Sequence, residues 1–330
     1  MNRTIKFDNP VIIKSVSSIG GPKECSGEVG KYIQTKLKDD TYGEKTYEKA
    51  ETKMLYTAIS NCIKNSNVPL EKVDVLIAGD LLNQIISATF SARNLNLGYL
   101  GAYNACATFT ESLLMGSTFI DSGKFSNIVC ATSSHFSTAE RQYRYPLELG
   151  SIRPPQAQWT VTGAGACLIS NKGIGPKITS ATVGRVIDYG VVDVNNMGAV
   201  MAPAACDTIV THLNELKVQP NYYDLIITGD LGALGTRLLK KIILEKGYDI
   251  DANHVDCGEL IYNIKEDEYQ GGSGAGCISL VFCSYLFNLL KTKKINKILL
   301  VATGALLSSL SCQQGESIPA IAHAVAIENI

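Results

Sequence analysis

The sequence lacks long apolar runs, closely spaced cysteines and an excess of charge of either sign. Lysine, arginine, aspartate and glutamate make up 18% of its 330 residues and sum to a net charge of −1. This balance gives no general electrostatic reason to bind nucleic acid or an anionic surface. The longest apolar stretches, 276–290 and 298–310, are shorter than the roughly 20 residues of a membrane-spanning helix. With 45% hydrophobic residues, the composition predicts a folded protein with large buried surfaces.

The ten cysteines do not have the spacing of a zinc site, because no C-x-x-C pair occurs. Residues 1–10 have no apolar core, so they do not fit a secretory signal. We therefore expect an intracellular protein whose thiols are reduced. The sequence predicts no cofactor, and it has no D-x-D-x-D loop of a calcium site, so we expect no metal site.

Short apolar segments alternate with longer amphipathic ones, which predicts an α/β fold with largely buried sheets. The predicted strands are 73–78, 128–131, 225–228 and 297–302. The predicted helices are 46–65, 106–122, 207–216 and 276–291.

An internal repeat predicts two similar halves. Residues 74–81 (DVLIAGDL) resemble residues 224–231 (DLIITGDL) at an offset of 150. An offset of 171 relates Ala131-Thr132 to Ala302-Thr303 and also relates Cys106 to Cys277. From this order we predict an N-terminal half, 1–172, and a C-terminal half, 173–330.

Cys106 lies in Asn104-Ala-Cys-Ala-Thr108, at the predicted start of a helix. The unpaired N–H groups and the positive dipole end of a helix N-terminus lower a thiol pKa and attract anions. The alternative is that Cys106 is a small buried residue, as we expect for most of the other cysteines.

Three segments resemble the thiolase and ketoacyl-synthase superfamily. They are Gly79-Asp-Leu-Leu-Asn83 with Ala92-Arg93, the Cys106 segment, and the glycine-rich Gly271–Gly276. The resemblance implies a thiolase-like fold whose two halves pack as αβαβα layers. In an active member of that superfamily, Cys106 would be the nucleophile.

The sequence departs from the superfamily where catalysis needs further polar groups. Condensing enzymes pair the cysteine with two such groups, usually His/His, His/Asn or His/Cys. Thiolases carry G-H-P before the glycine-rich segment, whereas this chain has Glu268-Tyr-Gln270 there, and Asp256-Cys-Gly258 replaces N-x-G. His323 falls near the position of the second thiolase cysteine. The polar groups that would transfer protons in a condensing enzyme are therefore incomplete in this sequence.

Longer segments along the whole chain resemble the stage V sporulation protein AD family. They include Ala131-Thr-Ser-Ser-His135, residues 138–146 (TAERQYRYP), Met201-Ala-Pro-Ala204 and residues 316–323 (ESIPAIAH). The resemblance implies a non-catalytic protein that binds dipicolinic acid (pyridine-2,6-dicarboxylate), free or as its calcium chelate, for uptake into the developing spore. It also implies a soluble protein in the forespore, held peripherally at the spore inner membrane by other membrane proteins of the same sporulation operon.

Dipicolinate is a flat aromatic dianion, so its site needs hydrogen-bond donors or cations beside an apolar slot. His135 is either a carboxylate donor or a capped loop histidine, and Arg141 is either a ligand contact or a surface partner of Glu140 and Glu148. These two glutamates also argue against nucleic acid binding at the arginine–tyrosine segment. The candidate ligand-binding residues are Cys106, His135, Asp80, Asn83, Arg144 and His323.

Other polar residues have structural interpretations. We expect Asp230 to cap a turn or helix, and His212 and His254 to be structural. We expect Asn196, Met197 and residues 199–205 to pack between the halves. Two other functions stay open, an acyl-transferring condensing enzyme that uses Cys106 and a scaffold without ligand. A homodimer through a central sheet edge, usual for thiolase-like folds, is neither required nor excluded by the sequence.

Overall fold

The structure, a computed structural model, describes residues 2–143, 153–262 and 270–330. The strands are β1 (Thr4–Lys6), β2 (Ile12–Gly20), β3 (Thr35–Lys36), β4 (Val75–Gly79), β5 (Tyr99–Gly101), β6 (Asn127–Ser134), β7 (Trp159–Thr160), β8 (Gly163–Ser170), β9 (Lys177–Thr182), β10 (Leu225–Thr228), β11 (His254–Asp256), β12 (Gly272–Ser273), β13 (Lys297–Ala305) and β14 (Ala320–Glu328). The α-helices are α1 (Pro22–Ser26), α2 (Tyr47–Ser66), α3 (Ile86–Leu95), α4 (Thr108–Asp121), α5 (Phe136–Tyr143), α6 (Met197–Leu216), α7 (Gly232–Leu244), α8 (Cys257–Ile261), α9 (Ala275–Val281), α10 (Phe287–Lys291) and α11 (Ser309–Gln313).

The strand order repeats along the main sheet. The first part runs β5-β4-β6-β8-β2 and the second runs β11-β10-β13-β14-β9, with the two parts joined where Ile12 on β2 pairs with Lys177 on β9. β4 is parallel to both β5 and β6, just as β10 is parallel to both β11 and β13. The repeated segments 74–81 and 224–231 therefore lie on corresponding strands.

Helices cover both parts of the sheet and also fill the space between them. On one outer face, Met54 and Leu55 of α2 pack against the first part. The central layer contains α4 and the helix α9–α10, which includes a π-turn at Phe282–Leu286; the rings of Phe109 and Phe282 lie 5.8 Å apart in this layer. On the other outer face, α6 and α7 cover the second part. The αβαβα layers of the predicted fold are thus present.

Helix α6 differs from the sequence-based predictions in its start and in the packing of residues 199–205. It begins at Met197, ten residues before the predicted start, with the Asn196 side chain accepting a hydrogen bond from the Ala199 N–H. Pro203 lies inside it, and a proline normally indicates a break. Most of the alanine-rich residues 199–205 pack in the outer layer, against β13 and β14, while Met201 among them also faces residues of the N-terminal half such as Leu81.

No helix of the described residues is both long enough and apolar enough to cross a membrane.

Candidate ligand pocket beside Cys106

Cys106 lies on a tight turn between β5 and α4. The preceding Ala105 has φ 51°, a left-handed conformation that is unfavourable for a residue with a side chain. The turn is held by the Asn104 N–H, which donates to Thr108 Oγ1 at 2.9 Å, and by the Ala107 N–H, which donates to the Asn104 carbonyl at 3.0 Å. The helix begins at Thr108, two residues after Cys106. The half-buried thiol therefore precedes the helix N-terminus and does not form its first turn.

Strand β13 passes directly under this turn. A Cβ added at Gly304 would lie 2.2 Å from the Asn104 carbonyl oxygen and 3.0 Å from the Ala107 nitrogen. Only glycine allows this approach, so Gly304 fixes the position of the turn.

His323 supports the turn from β14. The Gly184 N–H donates to its Nδ1 at 3.1 Å, and the Asn104 side-chain amide lies 3.2 Å from its Nε2. Burial lowers the pKa of His323 to about 4, so the ring is neutral at pH 7. The atom of Asn104 that faces Nε2 is Nδ2, so both ring nitrogens have a hydrogen-bonding neighbour. With both nitrogens engaged, His323 orients Asn104 and has no lone pair available as a base.

Glu111 adds a carboxyl group to the same network. It lies in the first turn of α4 and hydrogen-bonds the Asn104 side chain, while burial raises the pKa of its carboxyl to about 7. Its Oε2 is buried and has no hydrogen-bond partner among the described residues.

The Cys106 turn borders a pocket with about 540 Å³ of empty space, a volume that includes open solvent at its mouth. Aliphatic and thioether side chains form most of the wall, and two tyrosines form one side. Tyr103 Oη lies 2.8 Å from Tyr143 Oη, and the Tyr143 hydroxyl donates to the Leu81 carbonyl. The lining residues are Leu81, Tyr103, Ala105, Cys106, Ala139, Glu140, Tyr143, Thr160, Met197, Met201, Ser273, Gly274, Ala305 and Leu307.

Glu140 is the charged residue of this lining. Thr160 Oγ1 donates to its Oε1 at 2.9 Å, and Arg153 Nη1 lies 3.3 Å from its Oε2. Arg153 also lies over the Trp159 ring at 5.1 Å, and Trp159 stacks on Phe136 at 4.0 Å. The Glu140 charge is therefore compensated at the edge of the pocket.

Asp80 and Asn83 do not line this pocket. The buried Asp80 carboxylate accepts hydrogen bonds from the Leu82 and Ala88 N–H groups, both at 2.8 Å, and burial raises its pKa to about 6. It holds the loop that carries Leu81 into the pocket. Asn83 is exposed; it lies in an adjoining groove that also contains Tyr103 and Tyr143.

His135 lies outside the pocket lining and is fully buried. Its Nε2 is 2.8 Å from the Asp40 carbonyl, and its Nδ1 accepts from the Ser137 N–H at 3.1 Å. Burial lowers the pKa of its ring. Both ring nitrogens therefore interact with backbone groups. Of the two roles that the sequence left open for His135, this contact pattern fits the capped loop histidine.

The other predicted arginine and histidine residues are dispersed. Arg141 lies 3.7 Å from Glu48 in a surface ion pair, and its expected partner Glu140 binds Arg153 instead. Arg144 lies outside the described residues. His212 contacts Thr182 and Tyr223, both at 2.7 Å, and Nε2 of His254 lies 3.0 Å from Thr228 Oγ1, so both are engaged by the core.

Asp230 is not the cap that the sequence predicted. Asp256 accepts from the Leu231 and Gly232 N–H groups at 3.0 and 2.9 Å, and so holds the start of α7. Asp230 is fully buried, and burial raises its pKa well above the ordinary value.

Met197, Met201, Glu140 and Ser273 line the pocket but were not expected from the sequence. The two methionines are brought there by the early start of α6, for which Asn196 was the available N-cap signal. The glutamate and the serine had no signal of their own, because their role depends on contacts between distant segments.

The chain is similar to known sporulation proteins along its whole length. Residues 1–328 match the family model described as Stage V sporulation protein AD. The chain is 41% identical over 326 residues to stage V sporulation protein AD of Bacillus subtilis (strain 168), covering 99% of this chain and 96% of that protein.

Solved structures with the same fold are condensing enzymes. One is 3-oxoacyl-[acyl-carrier-protein] synthase III from Aquifex aeolicus VF5, with TM-score 0.59, 16% identity, and coverage of 97% of this chain and 100% of that chain. Another is cerulenin-bound OleA from Xanthomonas campestris, with TM-score 0.63, 13% identity, and coverage of 98% of each chain. At these identities the likeness shows a thiolase-like fold.

Proposed function

Because the chain belongs to the stage V sporulation protein AD family, we propose that it binds dipicolinic acid in the pocket beside Cys106, for uptake into the developing spore. The observation that carries the proposal is a pocket with apolar and aromatic walls in which no histidine lies beside the thiol. The chain has four histidines, all of them in described ranges, and none lines the pocket. Condensing enzymes usually place a histidine beside the cysteine, so a lining without histidine favours binding over acyl transfer.

The pocket chemistry fits a flat aromatic acid. The pyridine ring would lie between Leu81, Met197 and Leu307, and the carboxylates would face the positive end of α4 and the Ser273 hydroxyl. Glu140 would supply a carboxylate oxygen to a calcium ion carried by the ligand, in place of its contact with Arg153. The free dianion and the calcium chelate are both compatible with this lining.

Thermal melting tests the proposal and the role of the two carboxylates. A ligand that binds only the native state stabilises it by about 2.7 kcal/mol at 100-fold excess over Kd. We expect dipicolinate to raise the melting temperature and picolinate, which lacks one carboxylate, to raise it much less. Equal shifts from the two acids would contradict a site that recognises both carboxylates. Repeating the series with calcium distinguishes the free acid from the chelate.

The second candidate function is acyl transfer by Cys106. The strained turn at Ala105 and the fold shared with condensing enzymes favour it. We expect no stoichiometric acyl adduct after incubation with short acyl-CoA, measured by intact mass. An adduct that disappears in Cys106→Ser would instead establish the enzyme.

The proposed cellular setting is the forespore side of the spore inner membrane. Membrane proteins of the same sporulation operon would hold the chain there, since it would act in uptake across that membrane.

We also propose a homodimer through β5. Within the described ranges β5 pairs only with β4, so its other edge is open. Phe90, Leu100 and Tyr103, near this edge, are 42%, 38% and 43% exposed. An open edge with large apolar residues is a surface for pairing with a second strand.

A further inference from the structure

A groove lined by lysines lies far from the Cys106 pocket. It encloses about 1960 Å³ open to solvent, and Lys14, Lys31, Lys291 and Lys293 line it. Asn296, also in its lining, directly precedes β13, whereas Ala305 at the other end of β13 lines the Cys106 pocket. Nine residues of strand separate these ends by about 30 Å.

Among the described residues, the charged side chains that line this groove are all lysines. No aspartate or glutamate side chain lines it in the part of the chain that the structure describes. None of its four lysines is within ion-pair distance of an acid in that part, whereas Lys53 pairs with Glu44 at 3.0 Å elsewhere. In a chain of net charge −1, the groove is a local positive surface that attracts anions.

An isoleucine projects beside these lysines. Ile174, in the connection between β8 and β9, lines the groove and is 98% exposed. The neighbouring Gly173 lies against the Lys14 side chain, since a Cβ added there would be 3.2 Å from Lys14 Cγ. Lys172, on the other side of Gly173, is also exposed. One surface therefore carries an exposed isoleucine next to several lysine side chains.

From this arrangement we infer that the lysine groove binds directly to an anionic phospholipid surface. The ammonium groups attract lipid phosphates, and Ile174 enters the boundary between headgroups and acyl chains. An acidic protein would satisfy the charges, but it would leave Ile174 without an apolar environment unless it offered a matching pocket. The inference does not depend on dipicolinate binding, because the two sites are at opposite ends of β13.

Vesicle co-sedimentation of the full chain tests the inference. We expect binding to phosphatidylglycerol-containing vesicles, none to phosphatidylcholine alone, and a strong decrease when salt is raised to about 0.5 M. One variant carries four substitutions, Lys14→Gln, Lys31→Gln, Lys291→Gln and Lys293→Gln. Its affinity for the vesicles should fall by about tenfold or more. The control replaces four exposed lysines outside the groove by glutamine (Lys45, Lys49, Lys241 and Lys246) and should bind like the parent.

A second variant, Ile174→Ser, separates insertion from charge. It should weaken vesicle binding several-fold while the salt dependence is kept. Dipicolinate should raise the melting temperature of both variants as it does that of the parent. A negative result with vesicles is therefore distinct from a failure of the ligand proposal. Absence of vesicle binding, equal loss in the control, or an unchanged Ile174→Ser variant overturns the inference. Unchanged vesicle binding in the variant with four lysine substitutions also overturns it.

Discussion

Glu51 on α2 lies in a buried polar site next to the loop that forms part of the pocket. Ser133 Oγ and Thr138 Oγ1 donate to its carboxyl oxygens at 3.0 and 2.8 Å. Burial, and then the nearby Asp80 charge, raise its pKa to about 8. The folded protein therefore holds a proton on Glu51 at pH values where the unfolded chain has released it.

This shift predicts a pH dependence of stability. Between the unfolded pKa of 4.5 and the folded value of about 8, the folded state binds more protons, so Glu51 makes unfolding easier as pH rises. We expect Glu51→Gln, which cannot ionise, to make this decrease in urea-unfolding free energy smaller, while Glu111 and Asp80, whose pKa values are also raised, maintain the rest. The exposed control Glu71→Gln should keep the full decrease. A parent and a Glu51→Gln variant with parallel pH profiles would show that Glu51 is not the group responsible.

Individual residue roles were predictable only where a local pattern fixes them. The sequence placed Cys106 at a helix start, and the helix begins two residues later, at Thr108. It did not decide the orientation of His135, whose nitrogens bond to Asp40 and Ser137. It also assigned Asp230 to a turn or helix cap, whereas Asp256 on a neighbouring strand accepts the N–H groups at the start of α7. Contacts between distant segments decide both cases.

At the scale of elements, the packing of α6 on α7 controls where the methionines of the pocket lie. Gly198 and Gly235 meet at this contact, and a Cβ added at Gly235 would lie 2.8 Å from the Gly198 Cα. The helices are therefore closer than side chains would permit.

Gly235→Ala should separate these helices. We expect a loss of about 1–3 kcal/mol in unfolding free energy, the cost of overpacking a tight contact. Because α6 would shift, dipicolinate affinity should also fall. Gly98→Ala is the control, since its Cβ would meet only the Asp74 carbonyl at 3.4 Å. Equal stability of the two variants would mean that the α6–α7 contact can relax freely.

Most elements were predictable from sequence periodicity, and the exceptions have local causes. The predicted strand 225–228 is β10 residue for residue. Helix α6 was predicted ten residues too short, because Pro203 is also an expected breaker inside an otherwise apolar helix. The helix predicted from residue 106 begins at Thr108, since the strained Ala105 turn precedes it.

At the scale of the whole molecule, the repeat in sequence and the repeat in strand order agree. Corresponding strands carry most of residues 74–81 and 224–231, which is why an offset in a single sequence could predict a repeated arrangement. The boundary at 172/173 stays a prediction. The pocket was less predictable, because its walls come from α5, α6 and the segments around Thr160, Ser273 and Ala305, which are distant in sequence.

The open edge of β5 predicts an oligomer that one charge should disrupt. Leu100→Lys places an ammonium group on the proposed interface, so we expect the molar mass from light scattering to fall from dimer to monomer. Leu70→Lys, at a similarly exposed leucine 42% accessible in the 3₁₀ turn before β4, should remain a dimer. A monomeric parent, or a dimeric Leu100→Lys variant, would exclude pairing through this edge.

The central claim, a dipicolinate site beside Cys106, is tested most directly by isothermal titration calorimetry of three proteins. The parent should bind dipicolinate, and Cys106→Trp should show no binding, because the indole fills the pocket while the melting temperature stays near that of the parent. Lys124→Trp, with the same substitution just beyond the other end of α4, should bind like the parent. Full affinity in Cys106→Trp would contradict the account and locate the ligand elsewhere.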